Sequence, residues 1–106
     1  MDQAKLVYVT IDTKENGLKL GSLLLEKKLI ACVNFFKMDS LYHYKNEIHN
    51  DEELLMLIKT SEEKTPDLLK TIEDEHPYET PCALVLPVES GLHQYLQWIS
   101  DTTKRN

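Results

Sequence analysis

The stretch Glu75-His76-Pro77-Tyr78-Glu79-Thr80-Pro81-Cys82 gathers an imidazole, a phenol, carboxylates and a thiol around two prolines. Imidazole suits copper, zinc and nickel, and thiolate suits Cu(I) and zinc. An imidazole near a carboxylate also suits general-base work, with His76 as base and Glu79 as its orienter. Each proline fixes its own φ and pushes the preceding residue out of helical geometry, so His76 and Thr80 are expected to be extended. The segment reads as a stiff connector presenting polar groups at the rim of a sheet. The same residues more often form a tight helix-to-strand connection whose hydrogen bonds are satisfied internally than a site.

The elements around this connector follow from periodicity. Leu6-Val7-Tyr8-Val9-Thr10-Ile11 reads as a strand, and Asp12 opens a helix with Glu15 at the capping-box interval. Gly17 and Gly21 weaken that helix unless they permit close approach to the sheet, which is the expectation here. Leu29–Phe36 reads as a second strand, apolar except at Asn34, a polar residue in need of a partner. Ser40–Tyr44 and Glu53–Thr60 form a long hairpin that turns near Lys45-Asn46-Glu47. Its arms exceed the usual strand length, so the tip with Tyr42, His43 and Tyr44 should overhang the body and suggests a partner subunit. Thr65 as N-cap and Pro66 at the first helical position start a second helix. Cys82–Leu86 reads as a last strand, and Ser90 caps a final helix carrying Leu92, Tyr95, Leu96 and Ile99 on one stripe, flanked by Trp98.

The order β-α-β-β-α-β plus a helix predicts an α+β fold: a ferredoxin-like sandwich over a single domain, residues 1–106, with spatial strand order 4-1-3-2. Its strands are apolar on both sides, so the second sheet face is expected to bury against the C-terminal helix or other subunits. Cys32 and Cys82 then fall on opposite sheet edges, about 14 Å apart by three inter-strand steps, too far for a disulfide within one chain. Both thiols are expected to be free and buried. Between subunits they can meet, and a soft metal or oxidation would then join chains.

Composition excludes several classes. A formal net charge of −6 and a single arginine, Arg105, argue against a nucleic-acid or anionic-membrane surface. Apolar runs such as Leu29–Val33 and Leu54–Ile58 are far below the ~18 residues of a membrane helix. Met1-Asp2-Gln3-Ala4-Lys5 carries no signal-peptide pattern, so the expected location is cytoplasmic. Two cysteines fifty positions apart fit neither a zinc finger nor a redox pair.

Ala31-Cys32-Val33-Asn34, Ser40-Leu41-Tyr42, Leu57-Ile58-Lys59-Thr60, His76-Pro77-Tyr78-Glu79-Thr80-Pro81 and Tyr95-Leu96-Gln97-Trp98-Ile99 follow one another along the whole chain. In that order and spacing they resemble the CutA family, the divalent-cation tolerance proteins. The resemblance implies a ferredoxin-like homotrimer, a link to copper and other divalent metals, and His76 and Cys32 as candidate ligands. Val9 and Glu75 stand where some members have Cys and His. Cys82 stands where the family usually has Glu, and is a further candidate donor. At the hairpin tip Tyr44 replaces Trp, and Asn46-Glu47 replaces Gly-Lys.

Three functions follow. The first is a homotrimer that binds copper or another divalent ion through His76, Cys32 and Cys82, with no obligatory cofactor. The second is a trimeric small-molecule sensor whose inter-subunit clefts are lined by Tyr42, Lys59, His76, Tyr78 and Glu79, with Lys59 receiving an anionic ligand and Tyr44 and Trp98 as further cleft or interface residues. The third, an enzyme using His76 and Glu79, ranks last because the two need not face each other and no nucleophile is assigned a base; the chain is read as a non-enzyme.

Overall fold

Three runs rich in β-branched and aromatic residues and one short apolar run pair as a single antiparallel sheet, while the helix-spaced segments between them pack across it. The computed structural model describes residues 3–104; Met1, Asp2, Arg105 and Asn106 lie outside the described residues. The elements are β1 (Ala4–Ile11), α1 (Lys14–Glu26), β2 (Cys32–Tyr44), β3 (Glu47–Ser61), α2 (Thr65–Glu75), β4 (Ala83–Pro87) and α3 (His93–Thr102). The sheet order is β2-β3-β1-β4, the expected order seen from the other edge. No helix among the described residues is long and apolar enough to cross a membrane.

Alternate residues sort the two sheet faces. Val7 and Val9 of β1 and Met56 and Ile58 of β3 are fully buried on one face, packed with Leu24 of α1 and Leu68 and Ile72 of α2. A Cβ on Gly17 would lie 3.0 Å from Phe35, and one on Gly21 3.3 Å from Val33, so both glycines let α1 lie close over β2, as expected. The opposite face carries Leu6, Tyr8, Leu55, Leu57, Phe36 and Leu84 by the register. Only one end of it is covered: α3 buries Ile99 with Ala4 and Ala31, and the Thr103 hydroxyl bonds that of Ser61 at 3.0 Å. Phe36 remains 51% exposed and Leu84 58%.

The hairpin turns through Lys45 and Asn46, with φ of 51° and 67°, between the paired residues Tyr44 and Glu47. Two successive left-handed residues are the tight turn whose twist matches that of the strands. The arms overhang the body: Leu41 and Ile48, on the helix side, are 73% and 69% exposed, and the molecule measures 45 × 25 × 21 Å.

Several boundaries differ from those expected. Thr13, not Asp12, caps α1, its Oγ1 accepting from the Asn16 amide at 3.1 Å. β1 ends at Ile11 as expected but begins at Ala4 rather than Leu6, and Asp12 Oδ1 accepts from the Thr13 amide and the Asn16 side chain. Leu29 and Ile30 are not in β2. Lys28 takes a φ of 58° and Leu29 N donates to Leu24 O at 3.0 Å, so these residues close the C-terminus of α1 in a Schellman turn. β2 then continues without a break through Lys37–Asp39 into the hairpin arm. As an edge strand it leaves Asn34 exposed, so this amide needs no internal partner.

Thr65 is not an N-cap. A 3-10 turn over Glu62–Lys64 precedes α2, and the Thr65 hydroxyl donates to Glu62 O at 2.8 Å. β4 begins at Ala83 rather than Cys82. Finally, α3 starts at His93 after Leu92, without a side-chain cap from Ser90; Leu96 of its first turn fills the space beside Gly91.

Candidate functional site

Pro77 ends α2, and His76 leaves it extended with φ −73° and ψ 140°, as a residue before proline should. This geometry turns the imidazole inward, where it is only 7% exposed. Its Nε2 donates to the Thr10 carbonyl at 2.7 Å, and its Nδ1 accepts from the Tyr78 amide at 3.1 Å. The donor and acceptor roles follow from the partners: a carbonyl only accepts and an amide only donates. The ring stitches the connector to the end of β1. A metal ion at His76 must displace one of these two bonds. Neither nitrogen meets Glu79, so a base–orienter pair is not assembled.

Tyr78 packs edge-on against the His76 ring, with centroids 4.7 Å apart, and its hydroxyl donates to Glu53 Oε2 at 2.8 Å. Burial, followed by that hydrogen bond and the Glu53 charge, holds the phenol above its ordinary range. Tyr42, on the hairpin, donates to Asp51 Oδ2, and this bond pushes its pKa up to about 12. Both phenols therefore hold their protons more tightly than a free tyrosine.

These side chains wall a cleft of about 840 Å³ between the hairpin and the connector. Five of the nine residues singled out from the sequence line it: Tyr42, Tyr44, Tyr78, Glu79 and Cys82. The others lie elsewhere. Cys32 and Lys59 are paired across β2 and β3, with Lys59 Nζ 4.0 Å from Cys32 Sγ and 5.6 Å from the Tyr95 ring centroid. Trp98 stacks at a tilt on Tyr95, 5.4 Å away, and stays 43% exposed. Lys59 thus belongs to the α3 end of the open face and does not enter the cleft. Both thiols are free and half-buried rather than buried, at opposite edges of the sheet. Among the described residues no group of three His, Cys, Asp or Glu side chains is placed to hold a metal ion.

Sequence reasoning missed Tyr8, Thr10, Asp12, Asp51 and Glu53 as cleft residues. The Asp51 contact was within reach: a turn at Lys45-Asn46 pairs Tyr42 with His49, which puts Asp51 diagonally beside Tyr42. The Tyr78–Glu53 bond joins the connector to a distant strand and left no local signal.

The family model "CutA1 divalent ion tolerance protein" matches residues 5–102. The chain belongs to the CutA1 divalent ion tolerance family. The "Divalent-cation tolerance protein CutA" of Thermotoga maritima is 43% identical over 97 residues, covering 92% of this chain and 96% of that one. Among solved structures, CutA1 from Ehrlichia chaffeensis superposes with a TM-score of 0.94 at 33% identity, covering 99% of each chain. CutA from Archaeoglobus fulgidus, described as a periplasmic divalent cation tolerance protein, superposes at 0.93 with 35% identity, covering 95% of this chain and 99% of that one. The CutA1 fold of these relatives is the arrangement described above: one antiparallel sheet, two helices on one face and a third on the other.

Proposed function

We propose that this CutA1 chain serves divalent-cation tolerance as a homotrimer, binding metal ions between chains rather than catalysing a reaction. The observation that carries this reading is the open sheet face. Phe36 and Leu84 are each more than half exposed beside Leu57 and Leu86, and burial of each such side chain contributes roughly 1.5–3 kcal/mol. An apolar face of this kind marks an interface. A site with three or more protein donors needs more than one copy, since no such group lies within the described residues. Cys32 and Cys82 are the donors we assign first, because their thiols are free and lie toward the two outer strands that a ring of subunits would bring together. Thiolate donors favour copper as Cu(I), and zinc. His76 can join only by giving up a backbone bond. We place the protein in the cytoplasm, where such thiols stay reduced.

Titration of the reduced full chain with Cu(I) and Zn(II), read by calorimetry and by metal content, tests this. Tight binding that weakens at least about tenfold in Cys32→Ser and Cys82→Ser, but little in His76→Ala, is expected. Unchanged affinity in both cysteine variants would remove the thiols from the site.

A second reading is favoured by the cleft itself. Its volume of about 840 Å³ lies in the range of small-molecule sites, so the trimer would sense an organic ligand there.

A further inference from the structure

Ligand charge is the property on which the sequence and the structure part. Lys59, the cation that would receive an anionic ligand, sits under Tyr95 at the other end of the open face. The cleft lining instead carries Asp12, Asp51, Glu52, Glu53 and Glu79, and, among the described residues, no Lys, Arg or His. Lys45 over the Tyr44 ring and His49 stacked on Tyr42 stand at the hairpin end, but the carboxylates outnumber them, so a cation is drawn in more readily than an anion.

We propose that the cleft binds an organic ammonium ligand, a cationic nitrogen carried on an apolar body. The proposal rests on the small-molecule reading of the cleft and adds the class of ligand. Three features favour an organic cation over a bare metal ion. The space is that of a molecule, about 840 Å³. Four tyrosines, Tyr8, Tyr42, Tyr44 and Tyr78, contribute to its walls, and aromatic faces attract ammonium groups while offering little to a hard ion. The carboxylates do not converge in a ligand set, and Asp51 and Glu53 each already accept a phenol hydrogen. Those two bonds fix the rings and orient the carboxylates before any ligand arrives, which lowers the ordering cost of binding. The chain also shows the contact type in miniature: the Lys45 ammonium lies 5.3 Å from the centroid of the Tyr44 ring. The apolar body would rest on the tyrosine rings at the cleft wall.

Benzyltrimethylammonium chloride is a suitable probe, with phenylacetate and benzyl alcohol as anionic and neutral controls. Each is titrated into the full-length protein at low salt by calorimetry and ligand-observed saturation-transfer NMR. The expected result is saturable binding of the ammonium, about tenfold or more tighter than either control and weakened by salt. Tyr42→Leu, Asp51→Asn and Glu53→Gln should each weaken it by about two- to five-fold, with Lys59→Ala as the unaffected control. Circular dichroism confirms that each variant is folded.

Equal binding of all three probes would overturn the ammonium assignment and leave the small-molecule cleft standing. Binding of none would remove both. Competition by Zn(II), lost in Glu53→Gln, would make the cleft a metal site and overturn the proposal as well.

Discussion

Ile58 and Leu57 are adjacent in β3, yet Ile58 is fully buried beneath the helices while Leu57 faces the side where Phe36 and Leu84 stand more than half exposed. The two faces have similar apolar composition and different amounts of cover. On the helix side, glycines at 17 and 21 let α1 close onto β2, and the core is complete within one chain. On the other side α3 reaches only the end near Ala4 and Ser61. One face accounts for the fold, and the other stays open along most of its length. The same division runs along the open face, from Lys59 with Tyr95 at one end to the carboxylates and phenols of the cleft at the other.

Substitutions on either side of β3 sharpen the comparison most. Ile58→Ala should lower the unfolding free energy by about 2–5 kcal/mol, measured by urea denaturation, because a fully buried side chain leaves a cavity. Phe36→Asp should leave the secondary structure intact by circular dichroism while lowering the mass in solution, because a charge enters a face proposed to be desolvated. If Phe36→Asp instead unfolds the chain as Ile58→Ala weakens it, the two faces are not separable.

His76→Ala tests the link between the connector and β1. Losing both ring contacts leaves the Thr10 carbonyl without its side-chain partner, and about 1–3 kcal/mol of stability should go with them. Chemical denaturation monitored by Trp98 fluorescence measures this.

The smallest effect is in the phenols. The folded-state pKa of Tyr42 is raised from the ordinary 10 to about 12 by its bond to Asp51, and that of Tyr78 is also raised, first by burial. The folded chain therefore holds these protons more tightly than the unfolded one. The associated stability is fully present below pH 10 and is lost as pH rises through about 12. Tyrosinate absorbance should show Tyr42 and Tyr78 titrating late, with Tyr42 falling back toward the ordinary value in Asp51→Asn.

Much of this was legible in the residues. The strand order, the overhanging hairpin, the extended His76 and the close approach at Gly17 and Gly21 all follow from local signals: period-two runs, prolines and small residues at helical spacing. Boundaries were less legible where two devices compete for one residue. Leu29 has the composition of a strand but completes a helix terminus, and Thr65 has the chemistry of a cap but follows a 3-10 turn. The site was legible in kind and not in arrangement. His76 was chosen for its chemistry, whereas its two nitrogens serve Thr10 and Tyr78. Lys59 is the only cation among the motif residues, which suggests an anion site beside the tyrosines, and only the sheet register places it away from them. Contacts between connector and hairpin, such as Tyr78 with Glu53, are set by the assembled sheet and leave no spacing to read.

Sedimentation equilibrium of the wild-type chain at micromolar concentration measures whether the open face is closed by other copies. A species of three times the 12.3 kDa of one chain is expected, with Phe36→Asp falling below it. A stably folded wild-type monomer of 12.3 kDa at that concentration would contradict it.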